Sequence, residues 1–450
     1  MGGNHQAVSA SSQECEKLVL FWRCFGPYHM ARAEAAARLF MERGADTLAL
    51  ELCEADEMQE PYPERAKAAI KVHTIAPGVR LFNHLPSWAD RVLRFLDEVR
   101  PAYIAVAGYL RPEMRAALRW ANRNGAVAVL MSETKWDDRP RSWWKRAYAS
   151  WQVGRADAAL VSGAAAGEYL VTLGMPREFI FRQYGTVANA FFVERAARIR
   201  SQVDGASAGR RPYFLACSRL VEKRKNLVRL ILAYERYRGQ VGGRPWDLVF
   251  CGEGPDRKAL EELVRQRNIE GITFAGFQKP EGLVEHYARA SCFIHAAMNE
   301  AWGLVVNEAM AAGLPVLVSR RCGCAYDLVE EGTNGWTFNP HDVEELAGLM
   351  ITMTKLDPAR LAEMGIASQR RIQCFGPERF AEGLLRAIEA VRRTENGRRG
   401  RRKGPQDLDI DLPQLELAQE GVAYDGPKYS PSGSASDEKG RGRGRAPFHS

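Results

Sequence analysis

Nowhere does the chain approach the ~18 consecutive apolar residues that a helical membrane span needs. The opening MGGNHQAVSASSQECEK lacks the basic-then-apolar order of a signal peptide, and Gln6 stands where an N-myristoylation site has Ser or Thr. A cytoplasmic protein is expected, with a peripheral place at the inner face of the membrane as the alternative. Cysteine is sparse, nine in 450 residues, odd in number and scattered, which is no disulfide framework. Cys217, Cys251 and Cys292 lie in or beside apolar runs, where a thiol packs as a small hydrophobe. Cys322-Gly323-Cys324 is the one close pair. Without a second Cys/His pair at zinc spacing, no metal site is expected there.

What is present is ordinary globular material: 46% hydrophobic and 26% charged residues, too apolar for a disordered polymer. The length fits two or three domains. The formal charge of +8 is moderate and suits an anionic ligand or surface without demanding nucleic acid, so no specific nucleic-acid partner is expected.

Apolar strands alternate with helix-period segments. Leu18–Trp22 reads as a strand, about Met30 to Arg43 as a helix stopped by Gly44, and Thr47–Leu52 as the next strand. The rhythm recurs through Tyr103–Ala107, Pro112–Asn122, Val127–Met131, Ala158–Val161 and Ala164–Thr172. Arg200–Arg211, polar and Gly-containing, reads as a linker. Strands then return at Tyr213–Ala216, Trp246–Cys251, Ile272–Ala275, Cys292–His295 and Pro315–Val318, with helices between them. Such alternation specifies parallel sheets flanked by helices. The expected fold class is α/β, two Rossmann-like domains over residues 1–205 and 206–375. A last amphipathic helix should cover 376–395, and a disordered basic and polar tail 396–450.

Three segments can carry chemistry. In the first, His295 ends a strand, Glu300 lies on the following loop, Gly303 opens a helix and Glu308 comes about one turn in. The backbone N–H groups of Gly303, Leu304 and Val305 would form a helix N-terminus suited to phosphate oxygens. Carboxylates beside it can accept sugar hydroxyls; the plain alternative is a capped helix with a solvated Glu308. In the second, Arg219 and Lys225 follow a strand six residues apart, where both can converge on a diphosphate; otherwise this is an exposed basic loop. The third, Cys251-Gly252-Glu253-Gly254-Pro255, is a strand-to-helix turn at the same sheet edge, a place where ligands bind and where tight turns use Gly anyway.

Taken in this order, together with the AMAAGLPVL run and EEGTNGW, residues 213 to 340 resemble the retaining, nucleotide-sugar-dependent glycosyltransferases of family 4, which have the GT-B fold. The resemblance implies roles: Glu300 against the transferred sugar, Glu308 on the ribose hydroxyls, Arg219 and Lys225 on the diphosphate. Gly252 and Gly254 would line the donor, and the Gly26 loop would approach the phosphates from across the cleft. It implies no metal and no other cofactor, in keeping with the lack of a D-x-D before Asp407-Leu-Asp409 in the tail. It also implies front-face displacement with retention, and a C-terminal helix crossing back to the first domain. The implied partners are a nucleotide-sugar donor and a glycan or lipid-linked acceptor, as in polysaccharide biosynthesis. Two other readings are a GT-B sugar-nucleotide epimerase or hydrolase, and a degenerate GT-B scaffold.

The sequence departs from the family pattern in three places. It has Glu300-Ala301-Trp302-Gly303 where the family commonly has EGFG, and Cys322-Gly323-Cys324-Ala325-Tyr326-Asp327 at the Gly-Gly-x-x-Glu position. Gly108-Tyr109-Leu110 stands where many members present a His, leaving His29 and Tyr109 to face the cleft or serve structure. Finally, Trp144, Tyr148 and Trp151 share one helical face beside Lys145 and Arg146. The favoured reading packs these rings under the sheet; the alternative docks them on an anionic membrane surface.

Overall fold

The computed structural model describes residues 15–56, 69–81, 88–138, 141–203 and 211–397. The readings of the first fourteen residues, of the middle of the Arg200–Arg211 linker and of the tail beyond 397 lie outside these. The first half contributes strands β1 (Glu16–Trp22), β2 (Ala45–Glu51), β3 (Ala55–Asp56), β4 (Val72–Thr74), β5 (Arg80–Leu81), β6 (Tyr103–Ala107), β7 (Val127–Ser132), β8 (Ala158–Val161) and β9 (Ile180–Phe181). Seven of them form a parallel sheet in the order β4-β2-β1-β6-β7-β8-β9, while β3 and β5 pair separately. The second half contributes β10 (Tyr213–Cys217), β11 (Asp247–Cys251), β12 (Ile272–Gly276), β13 (Cys292–His295), β14 (Val316–Ser319) and β15 (Gly335–Phe338). Their order is β12-β11-β10-β13-β14-β15, again all parallel.

Helices cover the faces: α1 (Pro27–Glu42), α2 (Ala89–Val99), α3 (Pro112–Asn124), α4 (Trp143–Val153), α5 (Ala164–Thr172) and α6 (Asn189–Val203). They continue with α7 (Glu222–Lys225), α8 (Leu227–Gln240), α9 (Arg257–Gln266), α10 (Pro280–Arg289), α11 (Leu304–Ala311), α12 (Ala325–Leu328), α13 (Val343–Lys355), α14 (Pro358–Ile372) and α15 (Pro377–Gly397). Strands buried on both faces explain why the apolar runs are continuous rather than alternating; every residue of β7, from Val127 to Ser132, is buried.

The strand order reverses at β1/β6 in the first sheet and at β10/β13 in the second. Loops leaving these four strands therefore open crevices at their carboxyl ends. α1 starts at Pro27, earlier than the Met30 read from apolar spacing, because proline is preorganised for the first helical position. Although α6 precedes residue 205, its Phe192 and Ala196 join the core of the second sheet with Tyr287 and Val306, so the chain crosses over near Val187. α15 returns to the first sheet, where Phe380, Leu384 and Ile388 pack with Leu18, Leu20 and Trp22. Tyr109 is also buried in the first core, so it serves packing rather than the cleft.

The packing expected for the Trp-rich helix is overturned. α4 turns Ala149, Gln152 and Val153 inward, and these small or polar residues leave Trp144, Tyr148 and Trp151 on the outer surface. Among the described residues no helix is long and apolar enough to cross a membrane.

Candidate active site

Lys225 and Glu300, 75 residues apart in sequence, form a close ion pair in the second crevice. Backbone pairing brings them there: the N–H of Met298 donates to Arg224 O at 2.9 Å. Asn226, buried and left-handed at φ 58°, donates its side-chain amide to Ala296 O and to Pro340 O at 2.8 Å. The junction between α7 and α8 is thereby riveted to the loop that carries Glu300. From the other side, Gly323 N donates to Glu300 O at 3.1 Å. A Cβ on Gly323 would lie 1.8 Å from Ala301 O, so glycine between Cys322 and Cys324 serves this close approach. Both thiols are buried, and burial pushes their pKa values up. Among the described residues no group of three or more His, Cys, Asp or Glu side chains is placed to hold a metal.

Burial opposes charge on Glu300, yet neighbouring His295 and the Lys225 ammonium outweigh it and hold the carboxyl at about 2. His295 Nε2 lies 3.4 Å from the carboxylate without completing an aligned hydrogen bond, and burial keeps the imidazole neutral. Gly303 caps α11 at φ 110°, a conformation that glycine adopts without strain, and leaves the amides of Leu304 and Val305 at an open helix start.

Glu308 is not solvated. It is 1% exposed and accepts hydrogen bonds from Tyr287 Oη at 2.8 Å and from Tyr28 Oη, which reaches over from α1 of the first half. Burial raises its carboxyl to about 7, only partly countered by the two phenols. This raised value fixes a sign. A carboxyl whose folded pKa exceeds its unfolded one contributes stability that is fully present below about pH 4.3 and lost as the pH rises through about 7. Relative to Glu308→Gln, the wild type should lose on the order of 3 kcal/mol across that window. Melting curves of both proteins against pH would show it, and parallel curves would refute it.

Arg219 is exposed two residues beyond the end of β10, on the loop that leads to Lys225, and its side chain forms no hydrogen bond or ion pair among the described residues. Gly252, at φ 138°, and Gly254 bring their turn against the loop after β10: added Cβ atoms would lie 1.9 Å from Ser218 O and 2.3 Å from Leu220 O. Close packing accounts for these glycines with or without a ligand. The Gly26 amide donates to His29 Nδ1 at 3.2 Å, so its N–H is taken up within the cap of α1. Burial holds His29 neutral, down to about 3.

Sequence reasoning missed several cleft residues. Tyr28 and Tyr287 were invisible because nothing in spacing links them to residue 308. Just past the end of β7, burial raises the Glu133 carboxyl, Arg32 opposes the rise, and the Glu300 and Asp138 carboxylates add to it, so this acid of the first half lies within electrostatic reach of Glu300. Asn299 donates to Asp138 O, and Arg321 Nη2 approaches Asp137 Oδ2 at 3.4 Å, tying the two rims together. Asp327, at the departure from Gly-Gly-x-x-Glu, accepts from the N–H of Ala164 at 2.9 Å, capping α5 across the interface.

Two parallel-sheet Rossmann-like domains facing each other across such a cleft, with the last helix returning to the first, constitute the GT-B fold. The chain superposes over 83% of its length on 99% of Anabaena HepE in complex with UDP and glucose (TM-score 0.62, 17% identity). It covers 100% of the sucrose-phosphate synthase of Thermosynechococcus elongatus over 85% of its own length (TM-score 0.62, 18% identity). Within this fold, residues 198–371 match the family model for glycosyl transferases group 1. Over 174 residues the chain is 31% identical to a D-inositol 3-phosphate glycosyltransferase of Rhodococcus erythropolis, 37% of this chain and 38% of the relative. Over 109 residues it is 36% identical to sulfoquinovosyl transferase SQD2 of Arabidopsis thaliana, 24% and 21% of the two chains. Over 125 residues it is 32% identical to alpha-monoglucosyldiacylglycerol synthase of Acholeplasma laidlawii, 27% and 30%. The chain thus spans well under half the length of these curated relatives.

Proposed function

We propose that the protein is a retaining glycosyltransferase that moves a sugar from a nucleoside diphosphate sugar to a glycan, glycolipid or small-molecule acceptor. The observation that carries this reading is the Lys225–Glu300 ion pair at the mouth of α11, with Glu308 one turn further in and the first domain closing over it. The match of residues 198–371 to a glycosyl transferase family supports it. So does the fold shared with a protein whose structure holds UDP and glucose.

In this reading Lys225 and the exposed Arg219 balance charge on the departing diphosphate. Glu300, kept ionised, accepts hydroxyls of the transferred sugar, and Glu308 accepts those of the ribose once Tyr28 releases it. The bond from the anomeric carbon to the phosphate oxygen breaks while the acceptor oxygen bonds the same face. The acceptor's proton passes to the leaving phosphate, so no protein nucleophile is required. The acceptor would occupy the first domain, on the side of Glu133. No metal takes part in this scheme.

Calorimetric titration with UDP, GDP and ADP in EDTA tests the donor site. One nucleotide should bind with micromolar affinity, and Glu308→Ala should weaken it about tenfold or more. Failure of all three to bind would remove the donor assignment. The anomeric configuration of the product, read by proton NMR, would then decide retention.

A further inference from the structure

The outer face of α4 has a composition that the proposed reaction does not use. Trp143 is 80% exposed, Trp144 56% and Trp151 46%, and Trp136 in the preceding loop is exposed as well. Single exposed hydrophobics are normal on a protein surface, whereas a cluster of four indole rings marks a contact site. The rings are interleaved with cations: Arg155 lies 3.6 Å from the centre of the Trp151 ring, Arg146 4.8 Å from Trp136 and Lys145 5.2 Å from Trp144. No acidic residue occurs between Trp143 and Arg155. The cationic surface continues onto α3, where Arg115 lies over the Tyr148 ring. Of the acids that flank α4 in sequence, Asp137 and Asp138 are engaged by Lys135 and Arg321, and Asp157 accepts from the N–H of Ala128.

We propose that α4 and the Trp136 loop dock the protein on an anionic phospholipid surface. Indole rings favour the boundary between headgroups and acyl chains, while Lys and Arg beside them reach anionic headgroups. Both requirements are met on one exposed helix face. A platform for single-stranded nucleic acid would instead line a groove with its rings. The position also matters: Trp136 belongs to the loop whose Asp137 and Asp138 meet Arg321 and Asn299 at the rim of the cleft. A surface docked through α4 therefore lies beside the cleft mouth. If the proposed transfer is correct, a lipid-borne acceptor would enter there. The docking itself does not depend on that reading.

The test is co-sedimentation of the full-length protein with vesicles of equimolar phosphatidylglycerol and phosphatidylcholine, against phosphatidylcholine alone. Binding should occur on the anionic vesicles and fall as salt is raised. The paired variants Trp143→Ala/Trp144→Ala and Lys145→Glu/Arg146→Glu should each lower the partition coefficient about tenfold or more. Their melting curves should stay near wild type because the altered side chains are exposed. Four results would overturn the proposal: no binding, equal binding to neutral vesicles, binding insensitive to the α4 variants, or the patch instead mediating self-association or oligonucleotide binding. None of these readouts uses a nucleoside diphosphate, so docking can fail while the donor site stands, and the reverse.

Discussion

Lys225→Met should lower kcat about a hundred- to a thousandfold, the loss found when a preorganised charge is removed from a site where opposite charge develops. The side chain pairs with Glu300 at 16% and 15% accessibility, so it is shielded enough to act strongly and open enough to meet a ligand. Its removal has a second consequence. The ammonium is one of the groups that hold Glu300 ionised, and without it the buried carboxylate loses a partner at a cost on the order of 2 kcal/mol. Loss of turnover could then be mistaken for loss of fold. The double variant Lys225→Met/Glu300→Gln, set beside Glu300→Gln alone, separates the two, since replacing both partners removes the orphaned charge. Melting temperature should recover in the double variant while its turnover stays well below that of Glu300→Gln. Equal turnover in the double variant and in Glu300→Gln would show that Lys225 acts on the fold alone. The measurement is steady-state sugar transfer with the nucleotide that calorimetry identifies.

The architecture was legible in the sequence because parallel sheets write themselves as apolar runs at regular intervals. Tyr103–Ala107, Ala158–Val161 and Cys292–His295 needed no correction at either end. Helix starts were less legible, since apolar periodicity begins only where a helix begins to pack; α1 gains its first turn from Pro27, which periodicity cannot report. Short β4 and the charged α2 escaped notice because three residues, or a narrow stripe of Val92, Phe95 and Leu96, leave little trace. In the candidate site, Glu300 and Glu308 could be read from their loop-and-helix setting. The partner that reaches Glu308 from across the cleft could not be, because Tyr28 is 280 residues away on α1 of the other domain. The aromatic face of α4 was visible as a pattern, but helical spacing alone does not say which side a stripe faces. The inner residues decided it, and Ala149 and Val153 are too small to be noticed beside three large rings.

Trp302→Ala should cost about 3–5 kcal/mol, the range for deleting a buried Trp side chain. Trp302 is 1% exposed and wedged between the halves of the molecule. A Cβ added at Gly163 would come within 2.3 Å of its ring, and one at Gly185 within 2.5 Å, so the first domain has left room at two turns for this indole. Its Nε1 donates to Asn307 Oδ1 at 2.9 Å, and Asn307 in turn donates to Gly185 O at 2.9 Å, carrying the contact across the interface. Phe375 closes the wedge with its ring centre 5.6 Å away. Alanine would leave a cavity bounded by both domains, beside the Asp327 cap on α5. Trp302→Phe, the residue at this place in the family pattern that the sequence resembles, would keep part of the contact but lose the packing of the second ring and leave the buried Asn307 Oδ1 without its donor, about 2 kcal/mol. Because Trp302 follows Glu300 by two residues, a loosened wedge also loosens the carboxylate. Calorimetric melting should therefore rank the wild type above Phe and Phe above Ala, with turnover following the same order. An alanine variant that melts with the wild type would show that the halves are held by the remaining contacts, chiefly the return of α15 onto the first sheet.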